Sequence, residues 1–427
     1  MTKFSQFGQK FIQKSGITQL MADLGKANHS DNPNICMLGG GNPAAIPAAE
    51  KIFQDEMQTL LKDENTFSQM LGNYDGPQGS ATFINALIKM LNDRYDWNLT
   101  DENICLTNGS QTSFFGLFNL LAGDMSDGKI GQVLLPLAPE YIGYFDQGIH
   151  ENMFVAQRPK IESISNFQFK YKIDFDGLKK RLDTHSNDNN SKIVAICASR
   201  PTNPTGNVLT DNEMLELDVL ATQYDIPLII DNAYGFPFPG AIYVDVNPHW
   251  HDNVILTMSL SKLGLPGART GIVIANKKII QALSSFNAIS ALAPNSIGAC
   301  LATRLLQSGD IMSLREDIIR PFYHEKSQFA AALAERLFTG LPVKIHKPEG
   351  AFFLWIWCQD LPISTSELYK KLVARGVYVI PSEYFFPDSA STWKHQTECL
   401  RVTFTQTDAL LERGFNIIAE EIRKAYT

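Results

Sequence analysis

Short, unbroken apolar runs recur along the chain, and each ends in a polar or glycine-rich turn. They lie at 104–106 (ICL), 133–135 (VLL), 193–197 (IVAIC), 227–230 (PLII) and 254–256 (VIL), with 270–275 (TGIVIA) close behind. A strand apolar at every position is buried on both faces, which is the pattern of a parallel sheet covered by helices. Helical periodicity fills the gaps. Ser80 reads as the cap of a helix carrying Phe83, Ile84, Leu87, Ile88 and Leu91, Phe114 to Leu121 repeats the pattern, and Thr210 to Glu213 forms a capping box. Open α/β sheets bind ligands beyond the carboxyl ends of their strands, so the turn after each run is a candidate site.

The turn after 254–256 contains Ser259, Ser261, Lys262, Gly264, Pro266, Gly267 and Arg269. A lysine just past a buried strand is a candidate amine nucleophile, because partial desolvation lowers its pKa. Hydroxyls and an arginine beside it suit a phosphate. Pyridoxal 5'-phosphate asks for both, an amine for its carbonyl and a grip for its phosphate. Alone, the stretch also reads as a solvated loop lysine. The turn Thr107-Asn108-Gly109-Ser110-Gln111-Thr112 opens a helix and is an anion site or a plain N-cap. Tyr141 and Tyr144 follow 133–135 in a proline-rich loop, as packing or as a stacking surface. Asp231, at the end of 227–230, is a ligand-edge carboxylate or a turn former.

Other features exclude function classes. Gly39 to Ala44 matches the loose dinucleotide pattern G-x-G-x-x-A, but Pro47 is expected to interrupt the helix that motif must open. His249-Trp250-His251 is the only close histidine pair and reads as a surface loop without metal-site company, so no metal is expected. The net charge of -8 carries no basic footprint for nucleic acid. No apolar run is long enough to span a bilayer, no signal peptide is visible, and the six cysteines form no C-x-x-C pair. The expectation is a cytoplasmic protein in a reducing setting. A first helix is expected after Ser15, with Ile17, Leu20, Met21 and Leu24 on one face. Past about residue 290 the pattern changes to helical stretches at 296–306 and 318–337, strands at 343–346, 351–358, 377–380 and 400–404, and a helix from Asp408. The expected division is a large domain over 46–295 and a smaller α+β domain over 296–427, with residues 1–45 an N-terminal segment that becomes part of the smaller one.

Taken in order, these loops resemble the aminotransferases of pyridoxal-phosphate fold type I. The resemblance is carried by Gly41-Asn42-Pro43, 73–79 (NYDGPQG), 106–115 (LTNGSQTSFF), 135–144 (LPLAPEYIGY), 199–208 (SRPTNPTGNV), 230–240 (IDNAYGFPFPG), 259–269 (SLSKLGLPGAR), 346–355 (HKPEGAFFLW) and Arg401. It implies an α/β fold with a mostly parallel sheet in the large domain and pyridoxal 5'-phosphate as cofactor. Lys262 would carry the cofactor covalently and shuttle a proton. Asp231 would pair with the pyridine nitrogen, Asn203 and Tyr234 with the phenolic oxygen, and Tyr141 would stack on the ring. Gly109, Ser110, Gln111, Ser259 and Arg269 would hold the phosphate, with Tyr74 reaching across from the second subunit of a homodimer. Arg401 would take the substrate carboxylate, with Asn203 and Gly41 nearby. The implied reaction belongs to amino acid biosynthesis and joins L-valine and pyruvate to 3-methyl-2-oxobutanoate and L-alanine. Alanine, aromatic or 2-aminobutyrate specificity, or a lyase on the same fold, are the alternatives.

Two departures from the family pattern matter. Lys262 and Arg269 are seven apart, where the aspartate branch has eight, and the shorter turn with Pro-Gly occurs in another branch. Ser290-Ala291-Leu292-Ala293-Pro294 is apolar where dicarboxylate-specific relatives supply an arginine, which argues for a neutral substrate. Regulators built on this scaffold carry a DNA-binding domain, for which no room is expected ahead of residue 37.

Overall fold

In a computed structural model, which describes residues 2–12, 25, 35–387 and 393–427, the apolar runs lie side by side in one eight-stranded sheet. Its strands are β1 (Ile104–Thr107), β2 (Gly123–Asp124), β3 (Ile130–Leu135), β4 (Phe154–Ala156), β5 (Ser191–Ser199), β6 (Leu228–Asp231), β7 (Val254–Ser259) and β8 (Gly271–Ile274). The order across the sheet is β1-β8-β7-β6-β5-β3-β2, with β4 also on β3. Strands β3 to β7 are mutually parallel, and β8 runs against both β7 and β1. The expected α/β class with a mostly parallel sheet is what forms.

Side chains alternate across this sheet, so each apolar run feeds two cores. Leu134, Ile196, Ile230 and Leu256 pack on one face. Val133, Cys197, Ile229 and Ile255 pack on the other, against Phe114, Leu117 and Phe118 of the helix Ser110–Leu121. The caps read from the sequence are present. The Ser80 hydroxyl accepts from Phe83 N–H, and Thr210 and Glu213 cap each other reciprocally.

A second sheet of six strands runs in the order Ile380–Pro381, Cys399–Thr403, Phe353–Cys358, Val343–His346, Gln168–Lys172, Lys160–Ser163. Its last two strands are a hairpin from within the stretch expected to belong wholly to the large domain, paired in parallel through Ile345↔Gln168. The hairpin left no clear apolar signal, because Lys160–Ser163 is exposed at every position. The apolar run 377–380 divides. Val377–Tyr378 pairs in parallel with Cys36–Met37, and Ile380–Pro381 pairs with Leu400 and Arg401. Helices follow at Ser296–Ser308, Arg320–Phe338, Thr365–Ala374 and Asp408–Tyr426. The helix expected after Ser15 falls outside the described residues. Pro47 opens a helix, Pro47–Lys62, rather than interrupting one. Its missing N–H costs nothing in the first turn. Among the described residues no helix is long and apolar enough to cross a membrane.

One buried ion pair ties the second sheet to the loop after β5. Lys170 Nζ donates to the Glu349 carboxylate and, at 3.0 Å, to the Val208 carbonyl, while Val208 N–H donates to the same carboxylate at 3.2 Å. Both side chains are nearly inaccessible, 7% and 4% exposed. Removing Lys170 leaves Glu349 with only the half-exposed Lys347, whose Nζ lies 3.3 Å from Oε1, and the Val208 N–H, a loss of about 1–3 kcal/mol. Lys170→Met is therefore expected to lower the urea midpoint by about that energy divided by the denaturant slope. An unchanged midpoint would show that the pair does not couple the two sheets.

Candidate active site

Lys262 leaves the end of β7 in a single 3-10 turn, Ser261–Leu263, which Gly264 terminates at φ 120°. The turn aims the lysine back over the sheet edge, where Nζ donates to the Gly41 carbonyl at 2.5 Å and lies 5.3 Å from the centre of the Tyr234 ring. Burial lowers the Lys262 pKa to about 8, and the Arg401 and Arg269 charges push it the same way against Asp231. An amine with such a pKa is still mostly protonated near physiological pH, but its neutral form is far more populated than that of an exposed lysine and can act as nucleophile or base.

Asp231 ends β6 in the same row. Its Oδ1 accepts from Ala233 N–H at 3.0 Å and its Oδ2 from the Tyr144 hydroxyl at 2.6 Å. Burial raises the Asp231 carboxyl pKa, and the Tyr144 hydrogen bond opposes the rise. Arg401, 3% exposed on the strand Cys399–Thr403, reaches in from the second sheet. Its Nη1 donates to Asn203 Oδ1 at 2.8 Å and its Nη2 to the Gly39 carbonyl at 2.6 Å. The guanidinium lies 4.3 Å from the Phe353 ring centre and 5.4 Å from that of Phe385, and Nε has no partner among the described residues. Burial lowers the Arg401 pKa to about 10. No carboxylate among the described residues pairs with this buried cation, so the site is built to receive an anion.

A second anion position sits at the start of the helix Ser110–Leu121, whose N-cap Gly109 has φ 91° and offers no side-chain cap. The Arg269 guanidinium covers this end, with Nη1 3.4 Å from Ser261 Oγ. A Cβ on Gly109 would come within 2.2 Å of Arg269 Nη2, so only glycine lets the arginine approach. Free N–H groups, a positive helix end and an arginine together suit a phosphate. Between the two anion positions Tyr141 stands with its hydroxyl 3.3 Å from Gln111 Oε1 and its ring edge-on to Tyr144.

Gly41, Ser110, Gln111, Tyr141, Asn203, Asp231, Tyr234, Lys262, Arg269 and Arg401 line one cavity of about 430 Å³. Gly109 lies behind Arg269. Ser259 does not line the cavity, since its hydroxyl accepts from Ser261 N–H at 3.0 Å and faces the Thr270 carbonyl, and Ser261 lines the cavity instead. Tyr74 stands outside and is 82% exposed. In the sequence Tyr144 is only a packing or stacking aromatic, Ser261 one of several turn hydroxyls, and Ser199 has no role of its own. Tyr144 stood three residues after Tyr141 in the same turn, and only the fold aims its hydroxyl at Asp231.

The histidine pair does have company, contrary to expectation. Asp218, His249 and His251 bring one ligand atom each within 4.8 Å of one another. Both Nε2 atoms meet the same oxygen, Asp218 Oδ2. Asn253 N–H donates to His251 Nδ1 at 3.2 Å, which puts the proton of a neutral ring on Nε2, facing the carboxylate. The trio is a hydrogen-bonded cluster with two imidazole donors on one buried acid.

The profile of the family described as aminotransferase class I and II matches residues 40–418. The chain belongs to the class I and II aminotransferases. This aminotransferase is 48% identical over 426 residues to the valine–pyruvate aminotransferase of Escherichia coli (strain K12), covering 99% of each chain. Its fold matches a crystal structure from Psychrobacter arcticum 273-4, assigned as an amino-acid aminotransferase, with TM-score 0.96 and 47% identity over 100% of this chain and 99% of that one. The crystal structure of valine–pyruvate aminotransferase from Salmonella typhimurium LT2 matches with TM-score 0.86 and 46% identity, over 96% and 99% of the two chains.

The lowered pKa of Lys262 has a direct chemical signature. In the aminotransferase freed of cofactor, acylation of Lys262 by an amine-selective reagent should rise with a midpoint near pH 8, where exposed lysines are still protonated. Peptide mass spectrometry across a pH series reads it, and a midpoint shared with the exposed lysines would contradict the desolvated amine.

Proposed function

We propose that this aminotransferase moves the amino group between L-valine and pyruvate, forming 3-methyl-2-oxobutanoate and L-alanine, with pyridoxal 5'-phosphate as its cofactor. The observation that carries the substrate pair is the end-to-end 48% identity with a valine–pyruvate aminotransferase. The cofactor is supported by the chemistry of the donor set. The cavity holds a buried amine whose acceptor is a backbone carbonyl, a buried acid with no cation among the described residues hydrogen-bonded to it, and an uncapped helix start under an arginine. These are the partners of an aldehyde, a pyridine nitrogen and a phosphate. When bound, the cofactor supplies the carbonyl for amine exchange and a ring that draws off the electron pair released at the substrate Cα.

The roles proposed for this chain's residues follow. Lys262, neutral above about pH 8, takes the proton from the substrate Cα and returns it, and below that pH its protonation slows the step. Asp231, held by Tyr144 and Ala233 N–H, keeps the ring nitrogen protonated. Asn203 and Tyr234 bind the phenolic oxygen, and Tyr141 stacks on the ring. Ser110, Gln111 and Arg269 hold the phosphate, with Gly109 making room and the Ser261 hydroxyl taking the part first expected of Ser259. Arg401 binds the substrate carboxylate, beside Asn203 and Gly41. The stretch 290–294 carries no charge, which supports a neutral side chain over a second carboxylate. Exposed Tyr74, Ile289 and Leu292 support a homodimer in which Tyr74 serves the partner's site. Six unpaired cysteines support a cytoplasmic setting.

Incubation with pyridoxal phosphate, valine and pyruvate should yield alanine, and failure to do so, with other neutral amino acids giving alanine, would move the specificity. Lys262→Ala should abolish turnover and the cofactor's lysine-linked absorbance. Arg401→Ala should raise the valine KM by roughly 30-fold or more, as loss of a buried charge partner does. Its cofactor affinity should change far less, and equal losses would remove Arg401 from substrate binding.

A further inference from the structure

Glu140 precedes the stacking tyrosine and takes no part in the roles above. It is 1% exposed, and no cation among the described residues pairs with it. Ser199 N–H donates to its Oε1 at 2.9 Å, Ser199 Oγ lies 2.5 Å from its Oε2, and Tyr141 N–H donates to Oε2 at 3.1 Å. Its own N–H donates to the carbonyl of Phe385, the residue whose ring flanks Arg401. Ser199 lines the cavity and pairs in register with Asp231. One residue thus fastens three elements beside the cavity, its carboxyl holding the Tyr141 turn and the end of β5 and its backbone N–H holding the segment of Phe385.

The titratable groups facing Glu140 are Asp231, Tyr144 and Cys197, all acids. On the side of Phe385, the nearby Glu383 is engaged by Thr365 and Ser366. Burial pushes the Glu140 pKa up to about 8, and the Asp231 charge adds to the rise.

Two hydrogen-bond patterns satisfy the same atoms. When Glu140 is ionised, it accepts from both N–H groups and from the Ser199 hydroxyl, whose oxygen then offers the cavity only lone pairs. When Oε2 takes up one proton from solvent, that proton is donated to Ser199 Oγ. Both N–H bonds persist, and the hydroxyl proton of Ser199 is released to point into the cavity. We propose that Glu140 is a positioning residue which, through Ser199, sets whether the cavity wall beside Asp231 presents the bound ring with a hydrogen-bond donor or an acceptor. The inference rests on the cofactor reading above. An amide at position 140 cannot serve both patterns, because one of the two backbone N–H groups would meet its NH2.

The test compares wild type, Glu140→Gln and Ser199→Ala, each reconstituted with pyridoxal phosphate. Infrared spectroscopy should find a protonated carboxyl that ionises near pH 8 and is missing in Glu140→Gln. The cofactor absorbance of the wild type should step at the same pH, and both variants should lose the step. The valine kcat should fall roughly 3- to 10-fold in both, with KM changed by less than about twofold, as for one hydrogen bond lost in the reacting complex. A role confined to packing would lower the melting temperature and leave these pH profiles in place. The proposal is overturned by the absence of that infrared band, or by variant absorbance profiles that superpose on the wild type. Ser199→Ala keeps both N–H bonds to Glu140, so it tests the pair even where Glu140→Gln does not fold. A wild type that takes up no pyridoxal phosphate refutes the cofactor reading, and the infrared band then still tests Glu140.

Discussion

Two cations from different sheets are tethered to one short run of backbone. Lys262 donates to the carbonyl of Gly41 and Arg401 to that of Gly39. The run is held in place by the parallel pairing of Cys36–Met37 with Val377–Tyr378. Removing two charges from water is costly, and no carboxylate among the described residues is hydrogen-bonded to either. Carbonyl dipoles and the faces of Phe353, Phe385 and Tyr234 stand in for counter-ions. The arrangement leaves each cation partly unsatisfied, and an incoming anion or carbonyl gains what folding did not supply.

The acids of the site are treated in the complementary way. Asp231 and Glu140 are buried with no hydrogen-bonded cation among the described residues and are held by N–H and O–H donors. Desolvation pushes both carboxyl pKa values up while it pulls those of Lys262 and Arg401 down. For Lys262 and Glu140, groups that would be fully charged in water are thereby brought within reach of proton exchange, while Arg401 stays a cation ready for an anion. The sheet makes this possible because parallel strands end at one edge. Ser199 and Asp231 are register partners there, and Lys262 emerges one strand further on.

Much of this was legible in the sequence. A run apolar at every position admits few places other than the middle of a parallel sheet, so the strands and their polar ends could be read directly. What the runs do not encode is which side chain at a strand end turns inward. Ser259 and Ser261 are chemically alike and two residues apart, and the turn around Lys262 decides that Ser261 lines the cavity. Pro47 reads as a breaker in the sequence because proline in a helix interior is costly, yet at the first turn, where the fold places it, it is tolerated. The Lys160–Lys172 hairpin was invisible because its outer strand is exposed and its partner strand lies far along the chain.

The amino-acid sequence by itself determined the class of fold, the order of its loops and the chemical kind of its site, because burial of apolar runs and the placement of a few rare groups are local properties. The tertiary structure alone decided the partners. Tyr144 on Asp231, Ser199 on Glu140, Arg401 on Asn203 and Gly39, and Asp218 beneath two histidines each join residues far apart along the chain. Their contacts exist only once the sheets are assembled, since hydrogen bonds between distant groups are a matter of distance and direction rather than of composition.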